Sequence, residues 1–206
     1  MTARPEPATE HLLDAAARGD GPARNRLIER YRRRLKRMVA VRLDRRLSAR
    51  VDPSDVVQDT LADAARKLDG YLRDRPLPFY PWLRQLAADR LGRVYREHVR
   101  AGRRSVKREA PAGLPAESAW ALAERLLDSG KGPSAALRRD ELRNRVRAAL
   151  DRLPERDREV LVLRHLEQLS TGETAEVIGA SEGAVKMRLL RAAQRLHELL
   201  HEEGQP

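Results

Sequence analysis

Three groups of side chains in this chain have the types and spacing to do chemistry. The first is cationic. Between Arg84 and Arg108 stand Arg84, Arg90, Arg93, Arg96, Arg100, Arg103, Arg104, Lys107 and Arg108, against only Asp89 and Glu97. Tyr71, Phe79, Tyr80, Trp82 and Tyr95 lie beside them in a chain that is 3% aromatic. Cations neutralise phosphates and aromatic rings stack on bases, each stacked base contributing about 1–3 kcal/mol, so this mixture suits a single nucleic-acid strand. Core packing is the competing reading for Phe79 and Trp82, and the favoured one for Trp82. The second group is acidic: Asp52, Asp55, Asp59 and Asp63 place several carboxylates on one side of a helix. No His or Glu completes a metal shell there, and a carboxylate at a helix start is favoured by the dipole alone. A docking surface for a basic partner is therefore preferred over a metal site. The third is His197 and His201, four residues apart. Two ligands near a terminus are weak grounds for zinc, so both are read as surface residues, and no metal or cofactor is expected.

Other chemistries are excluded by composition. The 206 residues contain no cysteine, which removes disulfides, thiol nucleophiles and thiolate metal sites. No Gly-rich phosphate loop and no cleft-type grouping of carboxylates with His or Lys marks an enzyme. Met1 to Glu10 has no apolar stretch of the signal-peptide kind, and no segment reaches the roughly 20 apolar residues of a membrane span. No membrane partner is expected, and the expected location is cytoplasmic. Lys and Arg outnumber Asp and Glu by 42 to 31, a net charge of +11. Each phosphate such a chain neutralises releases condensed counterions, which makes a polyanion the natural partner.

The elements that must position these groups are helical. Ala, Leu, Arg and Glu dominate and β-branched residues are sparse, so the fold class is all-α. Thr9 is a candidate N-cap for a first helix with Leu12, Leu13 and Ala16 inward. Gly19, Gly21 and Pro22 break the chain, and one long helix carries Leu27, Tyr31, Leu35, Val39 and Leu43. Asp52-Pro53 starts a further amphipathic helix through Val56, Val57, Leu61, Ala64 and Leu68. A loop from Asp69 to Pro81 leads to a helix from Trp82 to about Arg100. The stretch 101–133 is dense in Gly and Pro and reads as a linker, within which Trp120–Leu127 is spaced for a short helix.

The second half carries the sharpest motif. Ser170-Thr171-Gly172-Glu173 is a capping-box pattern for a short helix with Ala175 and Ile178 inward. Gly179-Ala180-Ser181 forms a turn, and a last helix follows with Val185, Leu189, Ala192, Leu196 and Leu199 on one stripe. This is a helix-turn-helix, whose second helix can enter a major groove. With Val185 inward, Gly183, Ala184, Met187, Arg191 and Gln194 turn outward, with Lys186 and Arg188 on the flanks and Ser181 at the helix start. Arg and Gln can read base edges, whereas Lys more often neutralises phosphate.

At this point the residues resemble a family. Leu153 to Leu161 (LPERDREVL), Glu173-x-Ala175-Glu176-x-Ile178-Gly179, and Gly183-x-Val185-Lys186-x-Arg188-Leu189-x-Arg191-Ala192 resemble the fourth domain of sigma-70-type factors, most of all the extracytoplasmic-function (ECF) group. LuxR-type regulators share much of this pattern and are the alternative. The first half arbitrates. Asp55-Val56-Val57-Gln58-Asp59 resembles the acidic helix of sigma domain 2, and Pro81 to Ala87 (PWLRQLA) resembles its promoter-melting helix. In the melting helix Asp89 and Arg93 stand where the family often has Asn and Asp. In the helix-turn-helix, Thr174 and Ala184 stand where Ile and Thr are common.

The resemblance implies two small helical domains, residues 9–104 as sigma domain 2 and 136–201 as sigma domain 4, joined by a flexible linker over 105–135. It implies a non-enzymatic factor whose partners are promoter DNA and the RNA polymerase core, at the β′ clamp and the β flap, with an anti-sigma factor as a candidate third partner. Asp55, Val56, Gln58 and Asp59 would dock on polymerase. Tyr71, Tyr80, Arg84, Arg90, Arg93, Arg96 and Arg100 would hold the opened −10 strand, one flipped base lying in the Asp69–Tyr80 loop. Ser181, Gly183, Ala184, Lys186, Met187, Arg188, Arg191 and Gln194 would meet the −35 duplex.

Overall fold

Several helix starts in this chain are set by side-chain caps. The computed structural model describes residues 7–43, 47, 50–101, 115–127 and 136–202, and among these there is no strand. The chain divides into two units, Met1–Ala110 and Pro111–Pro206.

The first unit contains α1 (Pro7–Ala17), α2 (Gly21–Arg30), α3 (Arg32–Arg42), α4 (Pro53–Asp74) and α5 (Phe79–Ala101). Asp20 caps α2 by accepting the Ala23 N–H at 3.0 Å, and Asp52 caps α4 by accepting the Ser54 N–H at 2.7 Å. Each helix has Pro in its first turn, where the missing N–H costs nothing. The single long helix expected over Leu27–Leu43 is two. Its break falls at Tyr31, whose backbone closes α2 and opens α3 while its ring goes to the core, 6% exposed. Thr9 is not an N-cap: α1 begins two residues earlier, and the Thr9 hydroxyl is buried against the Tyr31 hydroxyl at 2.7 Å. Helix α4 packs on α1, α2, α3 and α5, and so forms the centre of the unit.

The loop expected from Asp69 to Pro81 is far shorter. Helix α4 runs on to Asp74, because Leu68 and Tyr71, on either side of Gly70, both bury their side chains in the core. Arg75 then ends it in the left-handed region at φ 37°, its N–H donating to the Tyr71 carbonyl at 2.8 Å. Only residues 75–78 remain as connection. The aromatic residues of this region pack on one another. Ring centroids lie 4.5 Å apart for Tyr71–Trp82, 5.2 Å for Tyr71–Phe79, 5.6 Å for Tyr31–Phe79 and 5.5 Å for Tyr31–Tyr80. The Tyr71 hydroxyl donates to the Leu77 carbonyl at 3.0 Å, pinning the connection to the cluster. Burial pushes the Tyr71 pKa up to about 12.

The second unit contains α6 (Ala116–Leu127), α7 (Ala136–Arg152), α8 (Glu155–Leu161), a π-helical segment (Val162–Leu166), α9 (Thr171–Ile178) and α10 (Glu182–Glu202). Helix α6 lies inside the stretch expected as flexible linker, yet it packs on α7 and on the π segment with Ala119, Leu122 and Ala123 buried. Its apolar stripe needs a partner, and α7 supplies one. The Gly and Pro residues at 102, 111, 113, 130, 132 and 133 lie outside the described residues. After α8 the helix widens: the Glu167 N–H reaches back five residues to the Val162 carbonyl at 3.0 Å. The wider turn lets Val160, Leu161, Val162 and Leu163, four consecutive residues, all be buried. The Arg195 guanidinium pairs with Asp157, itself 6% exposed, and so ties α10 to α8.

His165, on the π segment, gives this unit a pH dependence. Burial foremost, then the charges of Arg164 and Arg125, lower its pKa below the ordinary 6.5. The unfolded chain takes up a proton at about 6.5 that the folded chain resists, so this contribution to stability is complete above that value and is lost as pH falls through the folded-state pKa. Thermal midpoints measured from pH 7.5 to 5 should fall less steeply for His165→Gln than for the parent chain. Equal slopes would show that His165 is not the titrating group.

Candidate nucleic-acid interfaces

The helix-turn-helix of the second unit is built from satisfied caps. The Ser170 hydroxyl accepts the Glu173 N–H at 3.1 Å and the Glu173 carboxylate accepts the Ser170 N–H at 2.9 Å, closing the capping box that starts α9. Thr174, buried where an apolar residue would be expected, donates its hydroxyl to the Ser170 carbonyl at 2.8 Å and so needs no other partner. Gly179 ends α9 at φ 64°, ψ 44°, and the Ala180 N–H donates to the Ala175 carbonyl at 2.9 Å. The Ser181 hydroxyl accepts the Ala184 N–H at 3.1 Å and starts α10. Ala175, 5% exposed, is small enough to let α10 cross α9 closely.

Gly179 is the position where the turn requires a left-handed backbone, and nothing lies within 4 Å of where its Cβ would stand. The cost of Gly179→Ala is therefore purely conformational, about 1–2 kcal/mol. Denaturant unfolding of the second unit should show that loss with the m-value unchanged. A larger loss would point to a steric contact instead.

On α10, Val185, Ala192 and Leu196 are buried. Leu189 and Leu199, expected on the same stripe, are only half-buried. At 100° per residue each lies about 40° to one side of Val185, at the edge of the packed face. Ser181, Gly183, Ala184, Lys186, Met187, Arg191 and Gln194 are exposed, and Arg188 is half-buried. All eight residues expected at the duplex thus lie on the outer side or flank of one helix or at its start. Sequence reasoning missed Leu190. It is 52% exposed, beside Met187 at 49%, and these are the exposed large apolar residues among those described. Leu190 lies about 140° from Val185, so the same helical geometry that selected Met187 would have found it.

The first unit presents α5 beside the acidic side of α4. Arg90 pairs with Asp59 at 2.5 Å and Arg93 with Asp63 at 3.2 Å, so acids and cations expected to serve different partners are joined across the two helices. Asp55 and Gln58 are exposed, as is Asp59, but Val56 is 2% exposed and belongs to the core rather than to a docking surface. An open cleft of about 340 Å³ on α5 is lined by Ala88, Asp89, Gly92, Arg93 and Arg96. Arg84 is half-buried and Arg96 exposed, while the Arg100 side chain lies outside the described residues.

Tyr71 and Tyr80 are corrections. Their rings are 4% and 3% exposed, spent on the aromatic cluster, and Arg34 covers Tyr80 with its guanidinium 3.9 Å from the ring centroid. Rings so enclosed have no free face for a base. The Asp69–Tyr80 loop expected to hold a flipped base is mostly helix. Among the described residues no group of three or more His, Asp or Glu side chains could hold a metal ion.

Comparison with known proteins places this geometry. The family described as "Sigma-70, region 4" matches residues 143–196, which span most of α7 through α10. The ECF RNA polymerase sigma-E factor of Escherichia coli strain K12 is 30% identical over 187 residues, covering 90% of each chain. The chain is a sigma-70 factor of the ECF group. A second relative, the ECF RNA polymerase sigma factor EcfG of Rhodopseudomonas palustris strain TIE-1, is 32% identical over 159 residues, 77% of each chain. The solved structure of CnrH in complex with the cytosolic domain of CnrY has a TM-score of 0.51 at 27% identity, covering 95% of this chain and 98% of CnrH. Because the sigma-E match extends over nine-tenths of the ECF factor's length, it includes the first unit as well, and the LuxR-type alternative is not favoured. No described helix of this sigma factor is long and apolar enough to cross a membrane.

Proposed function

We propose that this ECF sigma factor directs core RNA polymerase by reading the −35 element as duplex through α10 and by holding the opened −10 strand on α5. The observation that carries the reading is the exposed face of α10, where Lys186, Met187, Leu190, Arg191 and Gln194 project from a helix whose start is capped by the Ser181 hydroxyl. Arg191 and Gln194 have the donors to read base edges, Lys186 is suited to phosphate, and Met187 and Leu190 to thymine methyl groups. On α5, Arg93, Arg96 and Asp89 around the open cleft supply phosphate and base-edge partners for a single strand. With Tyr71 and Tyr80 enclosed, strand capture here rests on cations more than on stacking.

In the same reading Asp55, Gln58 and Asp59 dock the first unit on the polymerase β′ clamp, the second unit sits on the β flap, and the stretch between them threads the polymerase. The factor contributes no catalytic residue, acts in the cytoplasm, and is restrained by an anti-sigma factor. Free sigma binds promoter DNA poorly, because two modules on a tether gain from each other only when something holds them at the spacing of the two elements. The test is in vitro transcription by core polymerase, with and without this protein, on a genomic promoter library. Start sites that depend on the protein and share two spaced elements are expected. An absence of such sites would overturn the reading, and tight specific duplex binding without polymerase would favour a LuxR-type regulator.

A further inference from the structure

Near the C-terminal end of α10, His197 and His201 stand one turn apart on the exposed surface. Their Nε2 atoms are 3.0 Å apart and their ring centroids 4.3 Å apart, with the rings inclined by 57°. The two nitrogens thus stand at hydrogen-bond distance, one ring able to donate to the other, which holds both on the same side of the helix.

We propose that this pair is a bidentate site for a divalent transition-metal ion, with Cu²⁺ foremost. Two imidazole nitrogens bound to one ion at about 2.0–2.1 Å must themselves be about 2.9 Å apart if they subtend a right angle, and about 3.3 Å apart at the tetrahedral angle. The 3.0 Å separation falls within the span that one ion would bridge. The general order of affinity for divalent first-row ions puts Cu²⁺ first. Imidazole is a ligand of the right softness for these ions and a poor one for Mg²⁺ or Ca²⁺.

The surroundings leave room for an ion. Glu198, on the same turn, is exposed and adds negative charge. Of the cations described on this part of the unit, the Arg195 guanidinium is held by Asp157, and that of Arg145 donates to the Leu200 carbonyl at 2.6 Å. With two protein ligands the remaining positions fall to water, so the site is open and exchangeable rather than a structural centre. A bound ion would staple the last turns of the helix whose earlier turns carry Lys186 and Arg191, and would add no contact to the core.

The experiment uses the full chain without an affinity tag. Cu²⁺ is titrated against a competing chromophoric chelator, and the visible ligand-field band of the bound ion is recorded. One equivalent is expected to bind with a nitrogen-ligated spectrum, and thermal unfolding of the loaded protein should move to higher temperature. Because the second ligand binds intramolecularly once the first has bound, His197→Ala and His201→Ala should each weaken binding roughly tenfold or more. His11→Ala, at an exposed histidine elsewhere, should leave it unchanged. Both tested side chains are exposed, so the variants should keep the parent's unfolding curve without metal. Binding of equal strength in all four proteins, or none in the parent chain, would overturn the proposal.

Discussion

Replacing Phe79 by alanine is expected to destabilise the first unit by about 3–5 kcal/mol, the usual cost of deleting a fully buried aromatic ring. Phe79 is 2% exposed and touches three other rings, those of Tyr31, Tyr71 and Trp82. Each of those belongs to a different part of the unit: Tyr31 to the α2–α3 break, Tyr71 to the end of α4, Trp82 to the first turn of α5. The cavity left behind cannot close by the movement of one helix, because the three packed rings that border it come from different elements. Folding of a domain this size nets only about 5–15 kcal/mol, so the variant should lie near the edge of stability. Calorimetry of the full chain should show the first unit's transition lowered and the transition of the second unit, which has its own core, unchanged. A loss below about 1 kcal/mol would mean that the ring cluster is looser than its centroid distances imply.

The largest functional effect is expected at Arg191. Its side chain is exposed on the outer side of α10, between Met187 and Gln194 on the same face. If its guanidinium reads a base, Arg191→Ala should cost about 1–3 kcal/mol of promoter discrimination, roughly 5- to 150-fold in transcription from the preferred promoter, and should relax preference at one position. Lys186→Ala should behave differently. It should weaken all sequences about equally and lower the salt dependence of binding by about one ion. Transcription by reconstituted holoenzyme on wild-type and single-substituted promoters separates the two outcomes. If Arg191→Ala weakens every promoter by the same factor, its role is phosphate neutralisation, and base reading must lie with Gln194 or the apolar pair.

These two expectations draw on different kinds of legibility. Arg191, Gln194 and their neighbours could be placed from the sequence because a capped amphipathic helix obeys a local rule: once Val185 is inward, 100° per residue decides the rest. The same holds for Asp52, Ser170 and Gly179, whose caps are made with residues at most four positions away. The acidic run on α4 and the cationic run on α5 were legible too, being matters of composition along a helix.

The misread residues share a different cause. Tyr71 and Tyr80 sit among cations in the sequence, but whether a ring faces a base or another ring depends on what five helices bring against it. Val56 lies between two surface acids and still belongs to the core. The α4–α5 connection shrank because Gly70, a breaker by local rule, is overridden by Leu68 and Tyr71 burying their side chains on either side of it. Helix α6 was legible as a helix but not as part of the second unit, since its partner surfaces on α7 and the π segment lie downstream. The pairing of Asp59 with Arg90 crosses 31 positions and has no local signature. Sequence alone therefore determined the all-helical architecture, the caps at Asp52, Ser170 and Ser181, and the outward face of α10, because all of these follow from interactions within about one helical turn. Tertiary structure alone decided which aromatic and apolar side chains remain free, because that depends on long-range burial, where each ring can be spent only once.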